Sequence, residues 1–151
     1  MLTISISPEA AAEISALCER APGVETGGAM FGVQRAGVLE IVHVCGPGPL
    51  ARATPRTLEW DASYVTGYIE AVHQVEAGPV AFVGRWHRHT TLLALASEPD
   101  RTGAHKTRDE LRLPSIADVI VATGQGHTPR AWCGYICTDA GYHRTELEVG
   151  A

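Results

Sequence analysis

Several things are missing from this chain of 151 residues. It has no Lys/Arg cluster long enough to follow a phosphate backbone, and its net charge is -5, so nucleic acid is a poor partner. No apolar run approaches the roughly 20 residues needed to span a bilayer. The N-terminal stretch MLTISISPEAA has no basic segment leading into an apolar one, so no secretory signal is expected and a cytoplasmic location follows. No internal repeat or low-complexity segment interrupts the chain. The four cysteines, Cys18, Cys45, Cys133 and Cys137, match no common zinc or disulfide spacing. Cys133 and Cys137 are spaced CxxxC in a strand-like run, and they read as small buried hydrophobes. The HExxH motif and the deaminase pattern H-x-E with P-C-x-x-C are absent as well.

What remains is the composition of an ordinary globule, 45% apolar and 19% charged, of a length that fits one domain spanning 1–151. Ser7-Pro8 reads as the N-cap and first position of a helix whose stripe is Ala10, Ile14, Leu17 and Cys18. Residues 25–34 and 38–45 read as a hairpin across Arg35-Ala36-Gly37. A proline-rich loop, 46–56, leads to a short strand, Leu58 to Trp60. Asp61 caps a second helix with Val65, Tyr68, Ile69 and Val72 on one face. Residues 79–87 read as a strand, 98–112 as a polar helix and 116–123 as a central strand. A hairpin of 130–138 with 142–149 ends the chain. This order predicts an α+β protein with a mixed, curved sheet flanked by helices, loosely an α/β/α sandwich.

The stretch GRWHRHTTLLALASEPD, residues 84–100, holds the chemistry. In an extended segment, residues two apart project to one side, so His87 and His89 point together. Two neutral imidazoles aimed at one point suit Zn²⁺, and Asp100 is the natural third ligand, with a fourth position left for water. Ser97, at the start of the next helix, could direct its hydroxyl at that water or at an oxyanion. Ser97-x-x-Asp100 also scans as a capping box, which explains serine and carboxylate without a metal but leaves the paired histidines unexplained. The two readings are compatible, because a capped helix start is a rigid mount for a ligand. His43, His73, His105, His127 and His143 read as structural or surface residues. Metallo-β-lactamase-type sites continue with Asp-His where Thr90-Thr91 stand here, and amidohydrolase sites need a far longer barrel.

The spacing His87-x-His89, seven residues, Ser97, two residues, Asp100 resembles the JAMM motif of the JAB/MPN metalloprotease family. Glu25-Thr26-Gly27-Gly28-Ala29-Met30-Phe31-Gly32 is similar to the family's E-T-G-G-x-L-x-G segment, and Gly84-Arg85-Trp86-His87 to the G-x-W-H of bacterial members. The resemblance covers roughly residues 1–140. It implies a cytidine-deaminase-like JAB/MPN fold, with zinc on His87, His89 and Asp100. Glu25 would be the general acid/base, and Ser97 would support the tetrahedral oxyanion. The implied reaction is hydrolysis after the C-terminal glycine of a ubiquitin-like protein, in precursor processing or deconjugation, with E1- and E2-like proteins as possible associates. Gly27 and Gly28 would let the substrate tail lie close to the backbone, or would serve only as backbone freedom entering a strand. Two alternatives stand beside this reading: release of a small product from a sulfur-carrier protein, and a non-catalytic MPN scaffold. The chain departs from the family in Thr90, where HxHP is common, in Arg88, where Ser or Thr is common, and in the apolar loop TTLLALA. Leu92, Leu93 and Leu95 of that loop could line a substrate groove, dock a partner or enter the core.

Overall fold

The sheet order is set by which runs can bury both faces. In a computed structural model, which describes residues 2–75 and 78–150, one eight-stranded sheet carries most of the chain. Its elements in chain order are β1 (Thr3–Ile6), α1 (Pro8–Glu19), β2 (Gly27–Arg35), β3 (Val38–Val44), β4 (Arg52–Ala53), β5 (Leu58–Glu59), α2 (Ala62–Val75), β6 (Ala81–His89), α3 (Glu98–Glu110), β7 (Ser115–Ala122), β8 (Ala131–Thr138), β9 (Gly141–Thr145) and β10 (Leu147–Val149). Strand order across the sheet is β10-β1-β3-β2-β6-β7-β8-β9, with β4 and β5 forming a separate small hairpin. The pairings β10–β1, β1–β3 and β6–β7 are parallel and the rest antiparallel. The protein is therefore α+β with a mixed sheet, as the sequence predicts.

The sheet's two edge strands, β9 and β10, are separated in sequence by Glu146 alone. One residue cannot cross an open eight-stranded sheet, since neighbouring strands lie about 4.8 Å apart. The sheet therefore curls until its edges approach each other, and the Thr145 hydroxyl donates to the Leu2 carbonyl across the seam. This corrects the sequence reading at two places. The run 142–149 is two strands, the second leaving its hairpin to pair with β1. And β1 itself, TISI, is a strand that was not expected. Four residues with alternating polarity carry too little periodicity to be distinguished from a leader to the helix.

Helices cover both faces. Ala10, Ile14 and Cys18 of α1 pack with Ile4, Met30, Trp86 and Val119 on one face. Val65 of α2 and Ala104 of α3 pack with Phe31, Phe82 and Ile116 on the other. Ser7 is the N-cap of α1, accepting from the Ala10 N–H, and Pro8 takes the first turn, as expected. The four cysteines are buried and free. No helix among the described residues is long and apolar enough to cross a membrane.

Strand β6 positions the site. It runs through His89, two residues beyond the expected strand end. A β-bulge near Val83 shifts the pairing with β2. Beyond it, Arg85, His87 and His89 project toward α3, while Trp86 and Arg88 project toward α1.

Candidate metal centre

Three donor groups meet where β6 ends and α3 begins. His87 Nε2 lies 3.1 Å from Asp100 Oδ1, His89 Nε2 lies 3.0 Å from Asp100 Oδ2, and the two Nε2 atoms are 3.2 Å apart. Donors bound to one tetrahedral zinc at about 2.0–2.1 Å sit roughly 3.3 Å from each other. The observed spacing is close to that figure, and His87, His89 and Asp100 could hold a metal ion.

The far sides of the rings sharpen this fit. His89 Nδ1 is 3.0 Å from the Leu93 carbonyl, which can only accept, so the proton sits on Nδ1 in the neutral ring. His87 Nδ1 faces the Asp118 carboxylate at 3.9 Å. In the neutral ring the His89 Nε2 lone pair is then turned toward His87 Nε2 and the Asp100 carboxylate. A lone pair and a carboxylate 3.0 Å apart repel unless a cation stands between them, either a proton or a metal ion. The electrostatics agree. Burial alone would lower the His89 pKa, but the Asp100 hydrogen bond, the Leu93 carbonyl and the charges of Asp100 and Glu25 outweigh it and raise it. Burial would raise Asp100, but bonds from both imidazoles and from the Ser97 backbone hold its carboxyl well below the usual range.

The capping box and the His87-His89-Asp100 cluster are one structure. Ser97 is the N-cap of α3: its Oγ accepts from the Asp100 N–H at 3.2 Å, and Asp100 Oδ2 accepts from the Ser97 N–H at 2.8 Å. That fixes the carboxylate which faces the imidazoles. A negative charge in the first turn also suits the positive end of the helix dipole. Ser97 itself is exposed and keeps its own O–H free to donate.

Glu25 precedes β2 and is 8% exposed. Burial pushes its carboxyl pKa up, while the charges of His87, His89 and Arg88 pull the other way. It shares a cleft of about 280 Å³ with Arg56, Trp60, Arg85, His87 and Asp100. Its backbone N–H donates to the Thr54 carbonyl at 2.8 Å, in the turn between β4 and β5. Thr90, in the position where the resemblance favours proline, donates its hydroxyl to the neighbouring Pro55 carbonyl at 2.9 Å. The small hairpin is thus tied both to the segment before β2 and to the residue that follows β6.

Arg88 accounts for its own departure from the family pattern. The side chain is 1% exposed and donates to the carbonyls of Cys18, Ala21 and Val24, at the C-terminal end of α1 and in the loop beyond it. Its backbone N–H donates to the Thr26 carbonyl at 2.8 Å. Glu25 is held between those two attachments.

The glycines have a packing reason. A Cβ on Gly27 would lie 2.2 Å from the Trp86 carbonyl oxygen, and one on Gly28 would lie 2.0 Å from that of Cys45. Both residues are buried in the sheet, and neither lines the cleft. In the apolar loop the core takes Ala94, while Leu92, Leu93 and Leu95 are exposed. The remaining histidines lie apart from the cluster. His43 bonds Glu13 and Tyr68, His73 accepts from the Phe82 N–H, His105 meets Cys137, and His127 and His143 are exposed.

Sequence reasoning missed Arg85, Asp118 and Tyr142, which lie behind the cluster. The available signal was a charge inside an apolar strand, Asp118 in IADVIVAT, since ionised residues are almost never fully buried unless paired.

No family profile matches the chain, and no curated protein matches it. Among solved structures, the chain resembles the solution structure of protein DSY2949 from Desulfitobacterium hafniense, a structural-genomics target. The TM-score is 0.72 at 16% identity, covering 97% of this chain and 92% of that one. At that identity the likeness is one of fold, and the α+β architecture described above is one this chain shares with a solved protein along nearly its whole length.

Proposed function

We propose that this protein is a zinc-dependent hydrolase of the JAMM type that cleaves after the C-terminal glycine of a ubiquitin-like protein. The observation that carries the reading is the convergence of His87 Nε2, His89 Nε2 and an Asp100 carboxylate fixed by its own capping box, with buried Glu25 in the cleft that His87 and Asp100 line. His87, His89 and Asp100 would hold a zinc ion, which would supply a Lewis acid and make a water molecule more acidic. Glu25, whose carboxyl pKa is raised by burial, takes a proton from water and returns it to the leaving amine. Ser97 donates its free O–H to the developing oxyanion. No covalent enzyme intermediate is needed, in keeping with four buried cysteines.

The test begins with zinc per chain by elemental mass spectrometry, on protein purified without chelator and then offered zinc. About one zinc per chain is expected in the wild type and none in His89→Ala. Glu25→Ala should keep its zinc and lose hydrolysis of a fluorogenic peptide ending in Gly-Gly. A wild-type protein that takes up no zinc sinks the proposal.

A further inference from the structure

Behind the three ligands lies a charged network that the proposed chemistry does not use. Asp118, in β7, is fully buried. Its Oδ1 accepts from Arg85 Nε at 3.1 Å, and its Oδ2 from Arg85 Nη2 at 3.1 Å and from the Tyr142 hydroxyl at 2.6 Å. Arg85 Nη2 also donates to the backbone carbonyl of Asp100. On its open side, Asp118 Oδ1 stands 3.9 Å from His87 Nδ1.

This placement is costly. Burying a carboxylate and a guanidinium together is often no better than packing apolar residues of similar volume. Ile116 and Ile120 flank Asp118 on the same face, so an apolar side chain would continue the local pattern. The network also has a direction. Asp118 lies on the Nδ1 side of one ligand, and Arg85 grips the main chain of another. The third ligand, His89, has its own orienting partner in the Leu93 carbonyl. Burial and the Asp118 charge push the Tyr142 phenol far above its usual pKa, which keeps it a donor to the carboxylate.

We propose that Arg85, Asp118 and Tyr142 are positioning residues for the metal centre. Asp118 favours the His87 tautomer with Nε2 free to ligate, and Arg85 sets the first turn of α3, which carries Asp100. The inference rests on the reading of His87, His89 and Asp100 as metal ligands.

The experiment measures zinc affinity by competition with a colorimetric chelator, and the visible spectrum of the Co²⁺-substituted protein. The variants are Asp118→Asn and Tyr142→Phe, with metal-free folding checked by circular dichroism. Asp118→Asn is expected to lose about 10–100-fold in zinc affinity and to shift the cobalt bands, as changes in partners behind a ligand do. Tyr142→Phe, a milder change, is expected to lose about threefold. A folded Asp118→Asn with wild-type affinity and an unchanged cobalt spectrum overturns the proposal. If Asp118→Asn does not fold, Tyr142→Phe decides: a lower melting temperature with unchanged affinity makes the network merely structural and overturns it. A wild type that binds neither zinc nor cobalt sinks the metal reading itself. Variants that bind as well as a competent wild type sink only the role given to the network.

Discussion

Replacing Arg88 by methionine separates the two faces of β6. The guanidinium loses three bonds, to the carbonyls of Cys18, Ala21 and Val24, all from a side chain that is 1% exposed. Hydrogen bonds to charged groups contribute about 1.5–3 kcal/mol each, so the gross loss is about 4.5–9 kcal/mol. Burying an arginine without a carboxylate partner offsets several kcal/mol of that. Arg88 Nε has no hydrogen-bond partner among the described residues, which adds to the cost of the wild-type arrangement. Methionine keeps most of the aliphatic volume. The expected net loss is about 3 kcal/mol. With a urea m-value of about 2 kcal/mol/M, the unfolding midpoint falls by about 1.5 M, read by tryptophan fluorescence on metal-free protein. Lysine should recover little, because a point-like ammonium does not reproduce the guanidinium fork. Zinc content should stay at the wild-type level, because the side chain leaves β6 on the face opposite the imidazoles. Glu25 loses one of its two anchors, so hydrolysis should fall more than zinc binding does. A midpoint shift below about 0.3 M would refute the account of a buried clamp. Loss of zinc in a folded variant would show that the two faces are not independent.

Two further outcomes follow from the same structure. In metal-free protein the raised His89 contributes stability below its unfolded pKa near 6.5 and loses it as pH rises through the folded value. Asp100, depressed, contributes above about 3.8 and loses its share only as pH falls through its own folded value. As pH rises above about 6.5 the metal-free protein should therefore lose the stability that His89 contributes, while zinc binding, which needs deprotonated imidazoles, strengthens. The melting-temperature gain on adding zinc should grow over that range, and a gain that shrinks would contradict the assignment. Gly28→Ala should cost about 3 kcal/mol or more, because its Cβ would meet the Cys45 and Gly46 carbonyl oxygens at 2.0 and 2.8 Å. Gly67→Ala in α2, with nothing within 4 Å, should instead stabilise by about 0.5–1 kcal/mol, and urea titrations that fail to separate the two would contradict this packing.

The convergence of the candidate donors was legible because alternation along a strand is rigid: His87 and His89 must share a face wherever β6 lies. Asp100 was legible because helix capping and ligation ask for the same residue at the same place. The first helix and the two hairpin turns were legible through Ser7-Pro8 and through glycine at 37 and 141. What escaped was long-range. The pairing of β1 with β10 is decided by closure of the sheet, which joins residues more than 140 positions apart. Local periodicity carries no trace of that. The exposure of Leu92, Leu93 and Leu95 is equally a tertiary outcome: Ala94, with Ala96 partly buried beside it, packs in the cluster around Ile120, and the three leucines stay outside.

Arg85 and Arg88 show why buried charge is informative only after the fold is known. In sequence they look alike, both flanking the histidines of one strand. In space a single alternation sends Arg85 toward α3, where a carboxylate neutralises it, and Arg88 toward α1, where carbonyl oxygens alone receive it. The first pairing couples β6 to β7 and to the helix that carries Asp100. The second couples β6 to the segment that carries Glu25. Strand β6 thus sets the distance between the His87-His89 face, which could hold a metal ion, and the buried Glu25 carboxyl, which lies on a different element. A site assembled on such a strand tolerates variation in the surrounding loops, because its critical separations are fixed by sheet register and by two arginines whose release would leave buried groups unpaired.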